Sequence, residues 1–142
     1  MDFLDGDPFW DPMIPSMTNS DRTEIYKNKN KTLAKLHSVD YIKIGLEDYG
    51  KPGNYIARQV SRWSKQYRAS ETDNIEAMNN LIEWLPKNIP DDDETTIVHG
   101  DYRLDNMILR NNEVIGILDW ELSTLGHPIA DFSYHCLSWR TQ

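Results

Sequence analysis

Residues 95–121 read TTIVHGDYRLDNMILRNNEVIGILDWE, and the fold turns on this stretch. The β-branched run 95–98 is too short for a helix and is broken by His99-Gly100-Asp101. Two further apolar runs, 107–109 and 114–118, flank Asn111-Asn112, and asparagine tolerates the positive φ that a tight hairpin turn requires. The pattern predicts a strand, a polar loop, a hairpin, and a second polar loop that opens at Asp119.

Working outward, both flanks read as helix. Upstream, Thr18 and Asp21 have capping-box spacing, with the acid three residues inside the helix. The helix they open is expected to run to about His37, with Ile25, Leu33 and Leu36 on its apolar side and a Lys- and Asn-rich face opposite. A loop follows, punctuated by Gly45, Gly50, Pro52 and Gly53. From Asn54, the residues Ile56, Val60, Trp63 and Tyr67 recur at helical steps and predict one apolar stripe. Thr72 and Asp73 are expected to start a further helix that buries Ile75, Met78, Leu81, Ile82 and Leu85, and Pro86 and Pro90 end it. Downstream, Gly126 and Pro128 precede a last helical pattern from Ile129 through Trp139. Helices first, a small β-element in the middle and another helix after it define an α+β order, not an alternating one. Before Thr18, Pro8, Pro12 and Pro15 forbid a regular helix, so residues 1–17 form an extended segment laid on the domain that spans 18–142.

The chain has 142 residues, 39% of them apolar, with 5 Trp, 7 Tyr and 3 Phe. That is one packed domain and no disordered chain. Fifteen Lys and Arg against 23 Asp and Glu give a formal charge of -8, which argues against nucleic acid as a partner, because phosphate neutralisation needs clustered surplus cations. The single Cys excludes an internal disulfide, and Cys136 falls on an apolar helical face, a core position. No apolar run is long enough to cross a bilayer, and the acidic, Pro-broken start is the opposite of a secretory signal. The expected compartment is cytoplasmic.

Polar residues concentrate between 99 and 131: His99, Asp101, Arg103, Asp105, Asn106, Asp119, Glu121, His127 and Asp131. A turn aspartate or a loop asparagine accounts for any one of them singly, and their arrangement is what argues for chemistry. Five residues from Asp101 to Asn106 let a loop turn back so that both face one cavity, and the hairpin returns the chain to deliver Asp119 to the same place. One carboxylate can take a proton while an amide oxygen and a second carboxylate hold Mg²⁺. Phosphoryl transfer asks for those parts. Arg103 is within reach of charge developing on the transferred group, with a plain salt bridge as the competing role.

HGDYRLDN at 99–106, ILDWE at 117–121 and GHPIAD at 126–131 together resemble the aminoglycoside phosphotransferase family of kinase-like enzymes. YGKPGNYIARQVSRWSKQYRASET at 49–72 and DWELSTLGHPIAD at 119–131 are similar to the subgroup found alone or fused to acyl-CoA dehydrogenases. The resemblance covers nearly the whole chain. It implies a protein-kinase-like C-terminal lobe, mostly helical, with a small hairpin carrying a catalytic loop at 99–106 and a metal-binding strand end at 117–121. It implies Asp101 as catalytic base, Asn106 and Asp119 as Mg²⁺ ligands, ATP or GTP as phosphate donor, and a small-molecule hydroxyl as acceptor, a hydroxyacyl metabolite in this subgroup. His99 and Asp131 are implied to support the loop through hydrogen bonds, and Glu121 to be a surface carboxylate. His127 stands where the family's turn more often has Asp. Residues 1–6 resemble the inter-lobe hinge, with Leu4 at the adenine-contacting position.

By the same resemblance, the N-terminal lobe with its phosphate-gripping Lys is expected to be absent from this chain. The implied partners are an acyl-CoA dehydrogenase or a separately encoded N-terminal lobe. Two other readings compete. One is a catalytically inactive fragment that acts as a binding module. The other is a metal-dependent hydrolase using His99, Asp101, Asp119 and His127, disfavoured because the chain lacks the closely spaced His pair that zinc chemistry prefers. The basic residues Arg58, Arg62, Lys65 and Arg68 read either as a greeting for an anionic substrate or as a solvated face.

Overall fold

The computed structural model describes residues 3–137. Thr18 starts helix α1 (Asn19–His37), its hydroxyl accepting the Asp21 N–H at 3.2 Å and donating to the Asp21 carboxylate at 2.6 Å. Helix α2 (Tyr55–Ser70) and helix α3 (Glu76–Trp84) follow, and α3 passes into a 3₁₀ turn at Leu85–Lys87. Then come β1 (Thr96–Val98), a 3₁₀ turn at Leu104–Asn106, β2 (Met107–Arg110), β3 (Glu113–Ile117), β4 (Thr124–Gly126) and α4 (Ile129–Leu137). The chain is α+β, as its pattern predicts. Strands β2 and β3 form the hairpin, and Asn111 and Asn112 in its turn have φ of 52° and 65°. This is the positive-φ pair that a two-residue turn demands.

Residues ahead of α1 do lie on the domain. Asp7 exchanges two backbone hydrogen bonds with Leu109 of β2, at 2.8 and 3.0 Å. Ile14 is buried beside Ile25, Leu33, Tyr102, Leu104, Met107 and Leu109, with Phe9 and Met17 packed against them. This core sits between α1 and the hairpin, so the loop that joins β1 to β2 is held from below by α1. Residues Met1 and Asp2 of the hinge-like stretch, and Trp139 of the last helical pattern, lie outside the described residues.

Five readings are corrected. Strand β4, antiparallel to β1 with Ile97 opposite Leu125, is not foreseen, because three residues carry no periodicity to read. Helix α3 starts at Glu76 and not at Thr72-Asp73, with Ile75 as its N-cap. The expected buried stripes of α2 and α3 are only half covered: Trp63 is 56% exposed, Ile75 49% and Leu81 43%. On α1, the supposed polar face is interrupted by Lys29, which is buried in the same column as Ile25 and Leu33. Cys136 is partly rather than fully buried.

Candidate active site

The loop between β1 and β2 is held in shape by two histidines and one aspartate. Gly100 has φ +86°, and a Cβ there would sit 2.6 Å from the Leu122 carbonyl oxygen, so only glycine fits this turn. Asp131, in the first turn of α4 and 1% exposed, accepts the His99 N–H at 2.7 Å on one oxygen and the Gly100 N–H at 2.8 Å on the other. His37, at the end of α1, reaches the same carboxylate at 3.1 Å. The His99 ring is fully buried. Its Nδ1 accepts the Asp101 N–H at 3.2 Å, which leaves Nε2–H to donate to the Leu118 carbonyl at 2.9 Å. Both ring nitrogens are therefore occupied with loop geometry, and neither is free for a metal or a substrate.

Asn106 joins the two polar loops. Its side-chain amide donates to the Asp101 carboxylate at 2.9 Å and to the Asp101 carbonyl at 3.0 Å, while its backbone carbonyl accepts the Leu118 N–H at 2.8 Å. With the NH₂ committed, the amide oxygen is turned away from Asp101. Asp119 follows immediately in a left-handed conformation, φ 63°, a backbone state that Asp tolerates better than most residues and that concentrates at functional sites. Trp120 closes the corner, donating its indole N–H to Ile117 at 2.9 Å and packing edge-on to His99, ring centres 4.8 Å apart. The hairpin thus leaves Asp119 exposed, one residue beyond the Leu118 N–H that bonds the Asn106 carbonyl.

Arg103 lies between two carboxylates, bonding Asp105 and standing 3.5 Å from Asp101. Tyr134 on α4, which the sequence gives no reason to single out, lies close enough to Asp101 and Arg103 for both to act on its phenol. Burial first, then the Asp101 carboxylate, raise its phenol above the ordinary tyrosine range.

Mg²⁺ suits this donor set. Among the described residues no three His, Cys, Asp or Glu side chains form a metal cage. Mg²⁺ is held instead by one or two hard oxygens with phosphates and waters completing its octahedron. The unengaged Asn106 amide oxygen and the Asp119 carboxylate are two such donors. His127 belongs elsewhere: buried at 6% exposure, it caps α4, its Nδ1 accepting the Ile129 N–H at 3.2 Å, with Nε2 3.8 Å from Asp92. It supplies the capping acceptor that an Asp would provide in the same turn. With the His99 ring committed to the loop and His127 at the start of α4 beside Asp92, the four residues of the hydrolase reading form no metal-binding group among the described residues. Leu4 is 39% exposed and packs over Gly116 of β3, Glu121 is exposed, and two of the four basic α2 residues are taken locally. Arg58 bonds the Lys51 carbonyl at 2.6 Å and Arg68 pairs with Glu71 at 3.1 Å.

A loop clamped by a buried aspartate, a hairpin and an exposed aspartate on a left-handed residue define a kinase-like phosphotransferase lobe. The same architecture is found in a macrolide 2′-phosphotransferase from Brachybacterium faecium, 15% identical over 96% of this chain with a TM-score of 0.72. The chain belongs to the phosphotransferase enzyme family (APH), whose sequence profile matches residues 1–142. It is 54% identical to a Ralstonia eutropha protein assigned as an aminoglycoside phosphotransferase, over 99% of this chain, with a TM-score of 0.96. It is 49% identical to mouse acyl-CoA dehydrogenase family member 10 over 98% of this chain, and 46% identical to human acyl-CoA dehydrogenase family member 11 over 96%. The chain spans 44% of the Ralstonia protein, 13% of the mouse protein and 18% of the human one. No described helix is long and apolar enough to cross a membrane.

Proposed function

We propose that the chain carries the acceptor and metal side of a phosphotransferase that moves the γ-phosphate of ATP or GTP to the hydroxyl of a small molecule. The observation that carries this reading is Asn106, whose amide holds the Asp101 carboxylate at 2.9 Å and whose carbonyl fixes the residue before Asp119. These two ties support a proton acceptor on Asp101 and hard oxygen donors on Asn106 and Asp119 as neighbours in one site. Asp101 takes the proton of the acceptor hydroxyl as it attacks. Asn106 and Asp119 hold Mg²⁺, which neutralises charge on the donor phosphates when bound. Arg103 meets the charge on the transferred group, and Leu4, packed on the hairpin, borders the adenine. The relatives named as acyl-CoA dehydrogenase family members support a hydroxyacyl compound as the acceptor and a dehydrogenase as companion.

The test assays the chain alone and joined to the N-terminal part of the Ralstonia relative, with Mg²⁺, γ-labelled ATP or GTP, and a panel of hydroxyacyl acceptors. Label is expected on the acceptor. Asp101→Asn should lower kcat by about 10²–10⁴-fold with little change in nucleotide KM. Transfer that survives Asp101→Asn, or no transfer to any hydroxyl by the joined protein, overturns the reading. Nucleotide binding without transfer leaves the binding-module alternative in its place.

A further inference from the structure

Beside the catalytic loop lies a cavity of about 260 Å³, bounded by Trp10, Lys29, Tyr102, Arg103, Asp105 and Tyr134 and open to solvent past Trp10. Asp101 is not in its wall, but Arg103, which lines the cavity together with Tyr134, stands 3.5 Å from Asp101, so the cavity adjoins the proposed base. Its size suits a small metabolite and falls short of the span of a drug-sized ligand.

Lys29 is the unusual member. The residue is 4% exposed, and no described side chain or carbonyl accepts a hydrogen bond from its ammonium or pairs with it. What surrounds the charge is aromatic: Tyr102 and Tyr26, ring centres 5.5 and 5.8 Å away. Cation–π contact offsets part of the cost of burying an ammonium, and its N–H donors are left to the cavity that Lys29 lines rather than to an acceptor on a described residue. The position is rigid, because the Lys29 carbonyl accepts the buried Tyr102 hydroxyl at 2.7 Å. The nearest acidic wall residue, Asp105, is bonded to Arg103. The cavity therefore presents two cations against one carboxylate that is already engaged, in a chain whose overall charge is -8. Burial lowers the Lys29 pKa to about 8, so the group is still charged at neutral pH.

Resting on the phosphotransferase reading above, we propose that this cavity receives an anionic group of the acceptor molecule, a carboxylate or a phosphate, and that Lys29 is the residue that recognises it. The anion supplies the hydrogen-bond acceptors that Lys29 lacks, and the apolar walls at Trp10 and Leu104 take the carbon body. The acceptor hydroxyl is left at the Tyr134 end, next to Asp101. A hydroxylated acid, or a hydroxylated compound bearing a phosphate, is the class of acceptor that fits.

The test needs neither nucleotide nor Mg²⁺, so its outcome is separate from that of the transfer assay. Calorimetric titration of the unaltered chain uses 3-hydroxybutyrate for the carboxylate, inorganic phosphate for the phosphate, and 1,3-butanediol as the neutral counterpart. At least one anion is expected to bind tenfold or more tightly than the diol, and which one binds identifies the source. Lys29→Met, checked for folding by circular dichroism, should lose tenfold or more of that affinity without altering the response to the diol. In the unaltered chain, backbone amide NMR shifts on titration should centre on Lys29 and residues 102–105. The proposal fails if neither anion binds, if anion and diol bind alike, if Lys29→Met binds unchanged, or if the shifts centre on Arg58, Arg62 and Lys65 of α2.

Discussion

At Asp131 one side chain carries three separate attachments: two backbone N–H groups of the 99–106 loop and the imidazole of His37. Hydrogen bonds to a buried carboxylate are stronger than neutral ones, and removing the acceptor leaves buried donors with nothing in its place. Asp131→Ala is expected to destabilise the fold by roughly 3–5 kcal/mol, read by urea unfolding. Asp131→Asn retains an acceptor oxygen for only one of the two loop amides and should fall between the two. A loss below about 1 kcal/mol in the alanine variant would show that the loop keeps its shape without this anchor. Lys29 gives the complementary lesson. A signal for it exists in the sequence, since Ile25, Lys29 and Leu33 repeat at four-residue steps on one helical face. A cation inside an apolar column is an anomaly, whereas grouping it with the neighbouring Lys and Asn residues as a polar face hides it.

At the scale of elements, the β2–β3 hairpin was the most legible part of the fold, because its turn chemistry is local. Asn111 and Asn112 adopt the positive φ that their side chains tolerate. The Asn112 side chain also donates to Asp21 at 2.9 Å, and its carbonyl accepts from Asn28 at 3.0 Å, so the turn is tied to α1. Asn111, exposed and without such ties, isolates the backbone effect. Asn111→Gly should be neutral within about 0.5 kcal/mol, while Asn111→Val should cost about 1–3 kcal/mol, both measured by thermal unfolding. An equal response from the two would mean that the turn does not need its left-handed residue. Strand β4 and the exposure of Trp63 were not legible for the opposite reason. β4 exists because β1 lies across from it, and whether a helical stripe is buried depends on what packs over it. Neither fact is encoded within a window of ten residues. In the site, the contact of Asn106 with Asp101 five residues earlier followed from spacing, but the place of Tyr134 did not, since only the packing of α4 against the loop brings it there.

For the whole molecule, stability against pH carries the mark of Lys29. Its folded pKa of about 8 lies below the ordinary 10.5, chiefly through burial, so the folded state gives up this proton before the unfolded chain does. Below pH 8 both states are charged and the penalty is full. Between pH 8 and 10.5 the unfolded state binds more protons, and stability contributed by this residue rises with pH. The gap corresponds to about 3 kcal/mol. Lys29→Met, which keeps the length of the side chain and removes its charge, should therefore stabilise the protein by up to that amount at pH 7, with the gain shrinking toward pH 10. The other ionisable neighbours, Tyr26, Tyr102, Arg103, Asp105, His135 and Cys136, are common to both proteins and largely cancel in the comparison. Denaturant titrations at pH 7 and pH 9.5 check it. A variant less stable at pH 7 would mean that the ammonium has a compensating partner. Stabilisation coupled to lost anion binding would be a trade of stability for recognition.

The Asp131 clamp has a further consequence, for the order in which this chain acquires its shape during synthesis. Every residue of the 99–106 loop and the hairpin after it leaves the ribosome before the carboxylate that fixes the loop, and His37 waits for a partner 94 positions downstream. The nascent chain can pair β2 with β3 early, because that contact is local, but the loop that would do chemistry stays open until α4 emerges and folds back. Between the emergence of Ile117 and that of Asp131, the polypeptide therefore carries its hairpin made and its 99–106 loop unset.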